Sequence, residues 1–406
     1  MAKRHDVIVV GAGPGGSAAA HYLAQRGFDI LLLDKSEFPR DKTCGDGLTP
    51  RALNVIDDMG ILQEVKQVGF KINGFELHGK RGNTMISTVP KHAEYPDYLI
   101  ISPRMMLDDL LQKQAVKSGA QFEGQVKVQM IEQHDDYAVV QGTHKGERMQ
   151  YESRVVILAV GANMPLINKL GILKHKPDVI LGARGYYEGM QGLTDNAEGH
   201  FDGVPLPGYG WIFPISETSA NVGIGYWQSK IPWYHSPVSA RAALEDFIKY
   251  SAIVKSKMEN AKLVGKIKGF PLRVDFAKAP TTHGRILLVG EAAGLVSPLT
   301  GEGIDFALES GKLAAEFLIT SFAQDKLDKF DLQKYDTLLR NHFQHLFVWL
   351  GLIRKVYINP FLMNRSILAS DKFPEIKNIL TRVMTSEVDP ASMLKLSVFR
   401  KIVFGV

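Results

Sequence analysis

The chain has 406 residues, 45% hydrophobic and 22% charged, the balance of an ordinary globular protein with core enough for two or three domains. Its one cysteine, Cys44, excludes internal disulfides and a thiolate-built metal site, and no metal is expected. A formal net charge of +5 without a concentrated basic patch excludes a nucleic-acid partner, and the apolar run Leu346 to Ile353 falls far short of the roughly 20 residues that cross a bilayer.

The opening MAKRHDVIVV passes from basic residues directly into a buried-type strand, Asp6 to Val10, so no signal peptide is expected. GAGPGG follows, then an alanine-rich helix over Ser17 to Arg26 and a second strand, FDILLLDK, that carries Asp34 and Lys35 at its end. An irregular stretch, Ser36 to Pro50, holds Cys44 between Thr43 and Gly45, with Asp46 and Gly47 next. Ser102-Pro103 predicts a helix start, serine as N-cap and proline at the first helical position. Alternating strands fill Phe122 to Val140, and RVVILAVG is another buried strand. From Leu181 to Gly225 a run rich in glycine, proline and aromatics predicts an antiparallel sheet, and Ser239 to Ser256 a helix. GRILLVGEAAG returns to a buried strand and turn, GIDFALESGKLAAEFLITSF reads as a helix, and the chain from Lys334 onward as mainly helical.

Two glycine-rich turns carry chemistry. Gly11, Gly13 and Gly16 form G-x-G-x-x-G between strand and helix, with Pro14 and Gly15 inside it. The first glycine permits the tight turn, the second admits a pyrophosphate, and the third lets the helix pack closely. The diphosphate would rest on amides at the helix N-terminus, and Asp34 stands where a carboxylate accepts from the adenosine ribose. The second turn, LVGEAAGLVSPLTGEGID, sets Glu291 after a strand and aims a second helix N-terminus, at Gly301, Gly303 and Ile304, toward a ligand. A nicotinamide domain has no need of that element. A flavin does: Glu291 would accept from the ribityl chain, and the helix end would stabilise the negative charge of the reduced ring. FAD is therefore the expected cofactor.

These segments resemble the FAD enzymes built on the para-hydroxybenzoate hydroxylase frame. The resemblance implies an α/β plus β fold. A discontinuous Rossmann-like FAD-binding domain would comprise residues 1–80, 100–165 and 280–325, an antiparallel-sheet substrate domain 81–99 and 166–279, and a helical C-terminal region 326–406. It also implies that Arg104 contacts the flavin and that Val126 offers backbone to the adenine. The chain departs from the frame in having Glu291 where aspartate is usual, and in lacking the hydroxylases' Asp-Gly pair around Val160-Gly161-Ala162-Asn163.

FPRDKTCGDGLTPRAL, PGYGWIFP with the following ANVGIGYW, and SPLTGEGIDFALESGKLAAEF together resemble the geranylgeranyl reductase family, and most closely its menaquinone prenyl-tail reductases. The resemblance implies reduction of prenyl C=C bonds by hydride from N5 of reduced flavin, with a prenylated lipid or quinone as substrate and NAD(P)H or a ferredoxin-type protein as electron donor. Gly45 and Gly47 would let the Cys44 loop approach a flat ring. Tyr209, Trp211 and Phe213 alternate, so on a strand they share one face suited to a prenyl chain. Cys44, Tyr209 and Asp46 are the candidate proton donors. An FAD-dependent aromatic monooxygenase or halogenase is the alternative, since Tyr209-x-Trp211-x-Phe213-Pro214 is near the halogenase W-x-W-x-I-P. A lipid substrate calls for bilayer access. HFQHLFVWLGLIRKVYINPFLM places Phe343, Leu346, Phe347, Leu350 and Ile353 at helical spacing beside Trp349 and before basic residues, as on an anionic membrane surface or packed on the FAD domain. The expected location is cytoplasmic, peripheral on the inner face of the membrane.

Overall fold

The computed structural model describes residues 4–227, 239–357, 360–386 and 389–405. Its first layer is an eight-stranded sheet. The valine-rich strand Arg4–Val10 runs parallel to Ile30–Leu33 on one side and to Glu147–Leu158 on the other, and Glu147–Leu158 is parallel to Ile286–Leu288. Every side chain of Ile30–Leu33 and Ile286–Leu288 is buried, as expected of strands covered on both faces. The covering helices include Pro14–Ala24 and Ile304–Ala323, which pack on each other through glycine. A Cβ at Gly311 would lie 2.2 Å from the Gly15 carbonyl oxygen.

The second layer is a seven-stranded sheet ordered Lys262–Arg273, Val179–Glu188, Ser219–Trp227, Gly208–Pro214, Asn196–His200, Gly74–His78, Thr84–Thr88. It is antiparallel throughout, as expected, except where Asn196–His200 pairs parallel with Gly74–His78. The same pairing moves a boundary: residues 74–78 belong to this sheet, so the first cofactor-domain segment cannot run to residue 80. Alternation did not reveal the crossing, because Gly74–His78 is short and mostly buried on both faces.

Two helix starts and one helix's continuity differ from expectation. The first helix begins at Pro14, with proline in its first turn, and so includes the glycines ahead of Ser17. Ser102 does not cap the next helix: Pro103 is the N-cap, and the Ser102 hydroxyl is buried without a hydrogen-bond partner among the described residues. The stretch 239–256 is two helices, Ala240–Tyr250 and Ala252–Lys257, broken at Ser251.

The C-terminal region is helical, as read from sequence. Its long helix, Lys334–Tyr357, turns Phe343, Phe347, Leu350 and Ile353 into the protein. Phe343 and Phe347 stack edge-on against Phe306 and Phe276 at centroid distances of 4.9–6.1 Å. Of the two placements open for this apolar stripe, packing on the FAD domain is the one adopted; residues 358 and 359 of the stretch lie outside the described residues. Among the described residues no single helix is long and apolar enough to cross a membrane. Truncating a fully buried aromatic leaves a cavity, so Phe343→Ala is expected to lower stability by about 3–5 kcal/mol in urea unfolding. An unchanged midpoint would show that this helix contributes nothing to the core.

Candidate active site

One cavity of about 1060 Å³ lies between the two sheets and the C-terminal helices. The G-x-G-x-x-G turn forms one end. Gly11 has φ +106°, and a Cβ there would sit 2.4 Å from the Ala159 carbonyl oxygen; one on Gly16 would sit 1.8 Å from the Gly11 oxygen. These two glycines are demanded by the protein itself. Gly13 is different. Its φ of −74° suits any residue, and a Cβ would meet only the tips of Arg40 and Arg104, 3.7 and 4.0 Å away. The room at Gly13 therefore belongs to a ligand. No side chain caps the helix that starts here, so its first amides remain available to an anion.

Asp34 lies beside this turn, where its carboxylate accepts from the amides of Ala12 and Ser36, both at 2.9 Å. Lys35 lines the cavity next to it, as does Val126. The Val126 amide donates to the Asp34 carbonyl at 2.8 Å, so that N–H is not available to an adenine. Arg104 faces the cavity, but its guanidinium forks onto Asp108 at 2.6 and 2.7 Å and also contacts Cys44. Arg40 reaches the same Asp108 at 2.8 Å. Arg40 also lies 3.8 Å from Asp34, so two arginines and two aspartates form one ion-paired network beside Gly13, with both guanidinium groups bordering the cavity where a diphosphate would rest. Arg40 was not singled out in the sequence, because a lone arginine in an irregular loop has no pattern around it.

The second turn lies across the cavity. Gly301 has φ +76°, and Gly303 is the N-cap of Ile304–Ala323, which has no side-chain cap. Two helix N-termini without side-chain caps thus open on one cavity. Glu291 lines it too, but both its oxygens already have partners: Lys42 Nζ lies 3.2 Å from Oε2, and the Arg273 amide donates to Oε1 at 3.1 Å. Just behind, the carboxyl groups of Glu302 and Asp305 face each other. Burial pushes both above the usual carboxylate range, Asp305 to about 6. Burial of two neighbouring carboxyl groups favours their protonated forms.

The thiol loop closes the middle of the cavity. A Cβ on Gly45 would lie 3.1 Å from the Phe213 ring and 3.7 Å from Trp211, so this loop rests on the aromatic strand. Tyr209, Trp211 and Phe213 all line the cavity, while Ile212 between them is buried in the opposite core. Space for Trp211 comes from its register partner Gly223, where a Cβ would sit 2.2 Å from the indole. Trp211 Nε1 donates to Asn221 Oδ1 at 3.0 Å; Asn221 Nδ2 donates to the Cys44 carbonyl and to Asp46 Oδ2, both at 2.8 Å. Tyr186 donates to the same Asp46 oxygen at 2.6 Å. Asp46 is fully buried, and its Oδ1 has no partner among the described residues. Burial raises its carboxyl to about 6, against the opposing hydrogen bonds of Tyr186 and Asn221. Tyr209 is held differently: its hydroxyl donates to the Thr300 carbonyl, and burial raises its pKa. Asn221 and Tyr186 escaped the sequence reading. Their only signal is a polar atom inside an otherwise apolar strand.

The part of the cavity beside the aromatic strand is an apolar slot, lined by Leu77, Phe201 and Trp227 and by Met363, Met384 and Met393 from the C-terminal helices. Methionine is a flexible filler that adapts to an irregular guest.

This fold and site define a flavin-dependent oxidoreductase. The residues present fit FAD: uncapped amides and two arginines for a diphosphate, Asp34 for a ribose, and the second helix end for a ring. The family described as FAD binding domain matches residues 4–321. The menaquinone reductase of Mycobacterium tuberculosis (strain ATCC 25618 / H37Rv) is 35% identical over 330 residues, 77% of this chain and 76% of that protein. The digeranylgeranylglycerophospholipid reductase of Thermoplasma acidophilum is 26% identical over 401 residues, 97% and 96% of the two chains. In three dimensions a geranylgeranyl bacteriochlorophyll reductase-like protein from Thermoplasma acidophilum superposes with a TM-score of 0.79 at 23% identity, over 99% of this chain and 98% of that one. A flavin-dependent brominase has the same fold, with a TM-score of 0.78 at 20% identity over 99% of each chain. The chain belongs to the geranylgeranyl reductase family of FAD-dependent oxidoreductases.

If Gly13 is glycine only to admit the ligand, Gly13→Ala is expected to fold with stability within about 0.5 kcal/mol of wild type and to be purified largely without flavin. Thermal unfolding and the flavin absorbance read the two effects separately. Full flavin content in the variant would remove the diphosphate from this position.

Proposed function

We propose that the protein saturates C=C bonds in a prenyl chain, with the tail of a menaquinone-type quinone as first substrate and the geranylgeranyl chain of a lipid or chlorophyll as second. The observation that carries this reading is a continuous cavity in which the nucleotide cradle runs, past the thiol loop, into an apolar slot. Relatives named for menaquinone and for digeranylgeranylglycerophospholipid reduction favour the same substrate class.

When bound, reduced FAD supplies a hydride to one alkene carbon, and the protein must deliver a proton to the other. An isolated alkene is a poor acceptor, so positioning dominates. Tyr209, Trp211 and Phe213 supply one wall against the chain, and the Cys44–Gly45 backbone, fixed by Asn221, supplies the facing edge. Apolar lining excludes water from the slot. Asp46 is the proton source among the three candidates. Its Oδ2 is held by Tyr186 and Asn221, which leaves Oδ1 to carry the proton. Tyr209 is a wall residue, because its hydroxyl proton is committed to Thr300. Cys44 sits against the Arg104 guanidinium and shapes the edge of the ring site.

An external donor, NAD(P)H or a ferredoxin-type protein, restores the reduced cofactor. The substrate enters from the cytoplasmic face of a membrane. Exposed Val348, Leu352, Phe361 and Leu368 on the C-terminal helices, with Lys355 and Lys372 also exposed, favour peripheral contact with an anionic surface.

The holoenzyme, reduced anaerobically and mixed with a prenyl quinone, is expected to yield a product heavier by two hydrogens in its tail while the oxidised flavin spectrum returns. Flavin reoxidation with no change in tail mass would overturn the reading. Asp46 has a left-handed φ of +68°, which asparagine tolerates. Asp46→Asn is therefore expected to keep its flavin and lose about 10²–10⁴-fold in turnover. Only the protonated acid donates, so wild-type turnover should fall as pH rises through about 6, and the variant should lack that limb. An unchanged pH profile in the variant would exclude Asp46.

A further inference from the structure

The face of the second sheet turned away from the slot carries a buried cluster that the proposed chemistry does not use. Glu76 and His78 on one strand are in register with Glu198 and His200 on the next, in the sheet's one parallel pair among the described strands. His200 Nε2 lies 3.1 Å from Glu198 Oε2, while His78 Nε2 lies 3.8 Å from that oxygen and 3.2 Å from Glu76 Oε1. The ligating atoms of His78, Glu198 and His200 all fall within 4.8 Å of one another. Glu198 and His200 are fully buried and His78 nearly so.

We propose that Glu76, His78, Glu198 and His200 bind one zinc-class divalent transition-metal ion that clamps the two strands together. Three features support it. The first is spacing: tetrahedral zinc with bonds near 2.1 Å sets its ligands roughly 3.4 Å apart, and the three distances above bracket that value. The second is an orphan. His78 Nε2 points at two carboxylates yet makes no hydrogen bond of acceptable geometry, and it is buried. The third is the surrounding shell. His78 Nδ1 lies 3.1 Å from Thr84 Oγ1, which orients the ring with Nε2 toward the cluster. Lys257 donates to Glu198 Oε1 at 2.8 Å and to the Gly192 carbonyl at 2.7 Å, so the other oxygen of Glu198 is the one left to ligate. Such outer contacts are what hold metal ligands in orientation. Two imidazoles with carboxylates select zinc or its neighbours over calcium or magnesium.

Charge favours the same occupant. Two carboxylates face one lysine in a largely buried site, which leaves negative charge for a cation to offset. The clamp would fix the join at which a strand from the first segment enters a sheet built from later ones. Leu77 and Gly199, on the opposite face of those strands, line the slot, and Glu198 also borders the cavity. This site stands apart from the prenyl reading and survives its failure.

The test uses the untagged, FAD-loaded chain, freed of metal with EDTA, dialysed against micromolar zinc sulfate, and assayed for zinc by elemental analysis. Wild type is expected to retain close to one zinc per chain and to melt at a higher temperature with zinc than without. His78→Gln and His200→Gln should lose that zinc. Thr84→Val, which keeps all four ligands, should bind it about tenfold more weakly. Zinc content far below one per chain in wild type overturns the site, as does equal zinc in both histidine variants. Should the variants fail to fold, the zinc K-edge spectrum of the wild-type protein decides: two imidazole scatterers support the site, and none overturns it.

Discussion

The buried junction of Asn221, Asp46 and Tyr186 holds this molecule's two halves in working register. Asp46 belongs to the loop after the second strand of the nucleotide sheet. Asn221 and Tyr186 belong to the other sheet. Two hydrogen bonds of 2.6 and 2.8 Å join them to Asp46, and a third of 2.8 Å ties Asn221 to the Cys44 carbonyl, all at least partly buried. In such surroundings each bond is stronger than in water, and each unmade bond costs more. A loop otherwise free to wander is thereby fixed against the aromatic strand, with Gly45 allowing contact at ring distance. Both the cradle and the slot take their shape from this junction, because the loop is the wall they share.

The cradle solves a different problem with backbone alone. A diphosphate and a reduced ring are both anionic, and two uncapped helix N-termini converge on the cavity that would hold them. Their helices pack together closely because Gly15 and Gly311 carry no Cβ. Sequence motif and tertiary packing are here one constraint. Gly13, which admits the ligand, and Gly15, which brings the helices together, stand in one turn, yet a Cβ at the first would meet only side-chain tips and at the second backbone.

Much of this was legible in the sequence, and its limits follow from physics. Local patterns survive folding: G-x-G-x-x-G, the alternation of Tyr209, Trp211 and Phe213, and the second glycine-rich helix start all occur where read. Contacts between distant segments leave no periodic trace. Arg40 meeting Arg104 on Asp108, Asn221 reaching Asp46, and residues 74–78 crossing into the other sheet each join positions remote in the chain. The apolar stripe of Lys334–Tyr357 shows the same limit. Helical spacing fixes which residues share a face but not what covers it, and Phe276 and Phe306 do.

Placing an acid in a dry slot carries an internal tension. Apolar walls that hold a prenyl chain also remove the solvent that would recharge a proton donor. Burial answers part of this, since it holds Asp46 near 6 and keeps about a tenth of it protonated at neutral pH. The Glu302–Asp305 pair answers another part. It retains a proton at the cavity's edge, with Glu302 on the lining and Asp305 behind it, beside Arg51 on Glu309. A single buried carboxylate would have to choose between staying charged, at a high desolvation cost, and staying protonated with nowhere to pass its charge. Asp46 and the Glu302–Asp305 pair separate those tasks: one carboxyl meets the slot, and the pair lies at the N-terminal end of Ile304–Ala323. The apolar guest and the proton it needs can then occupy one cavity without water joining them.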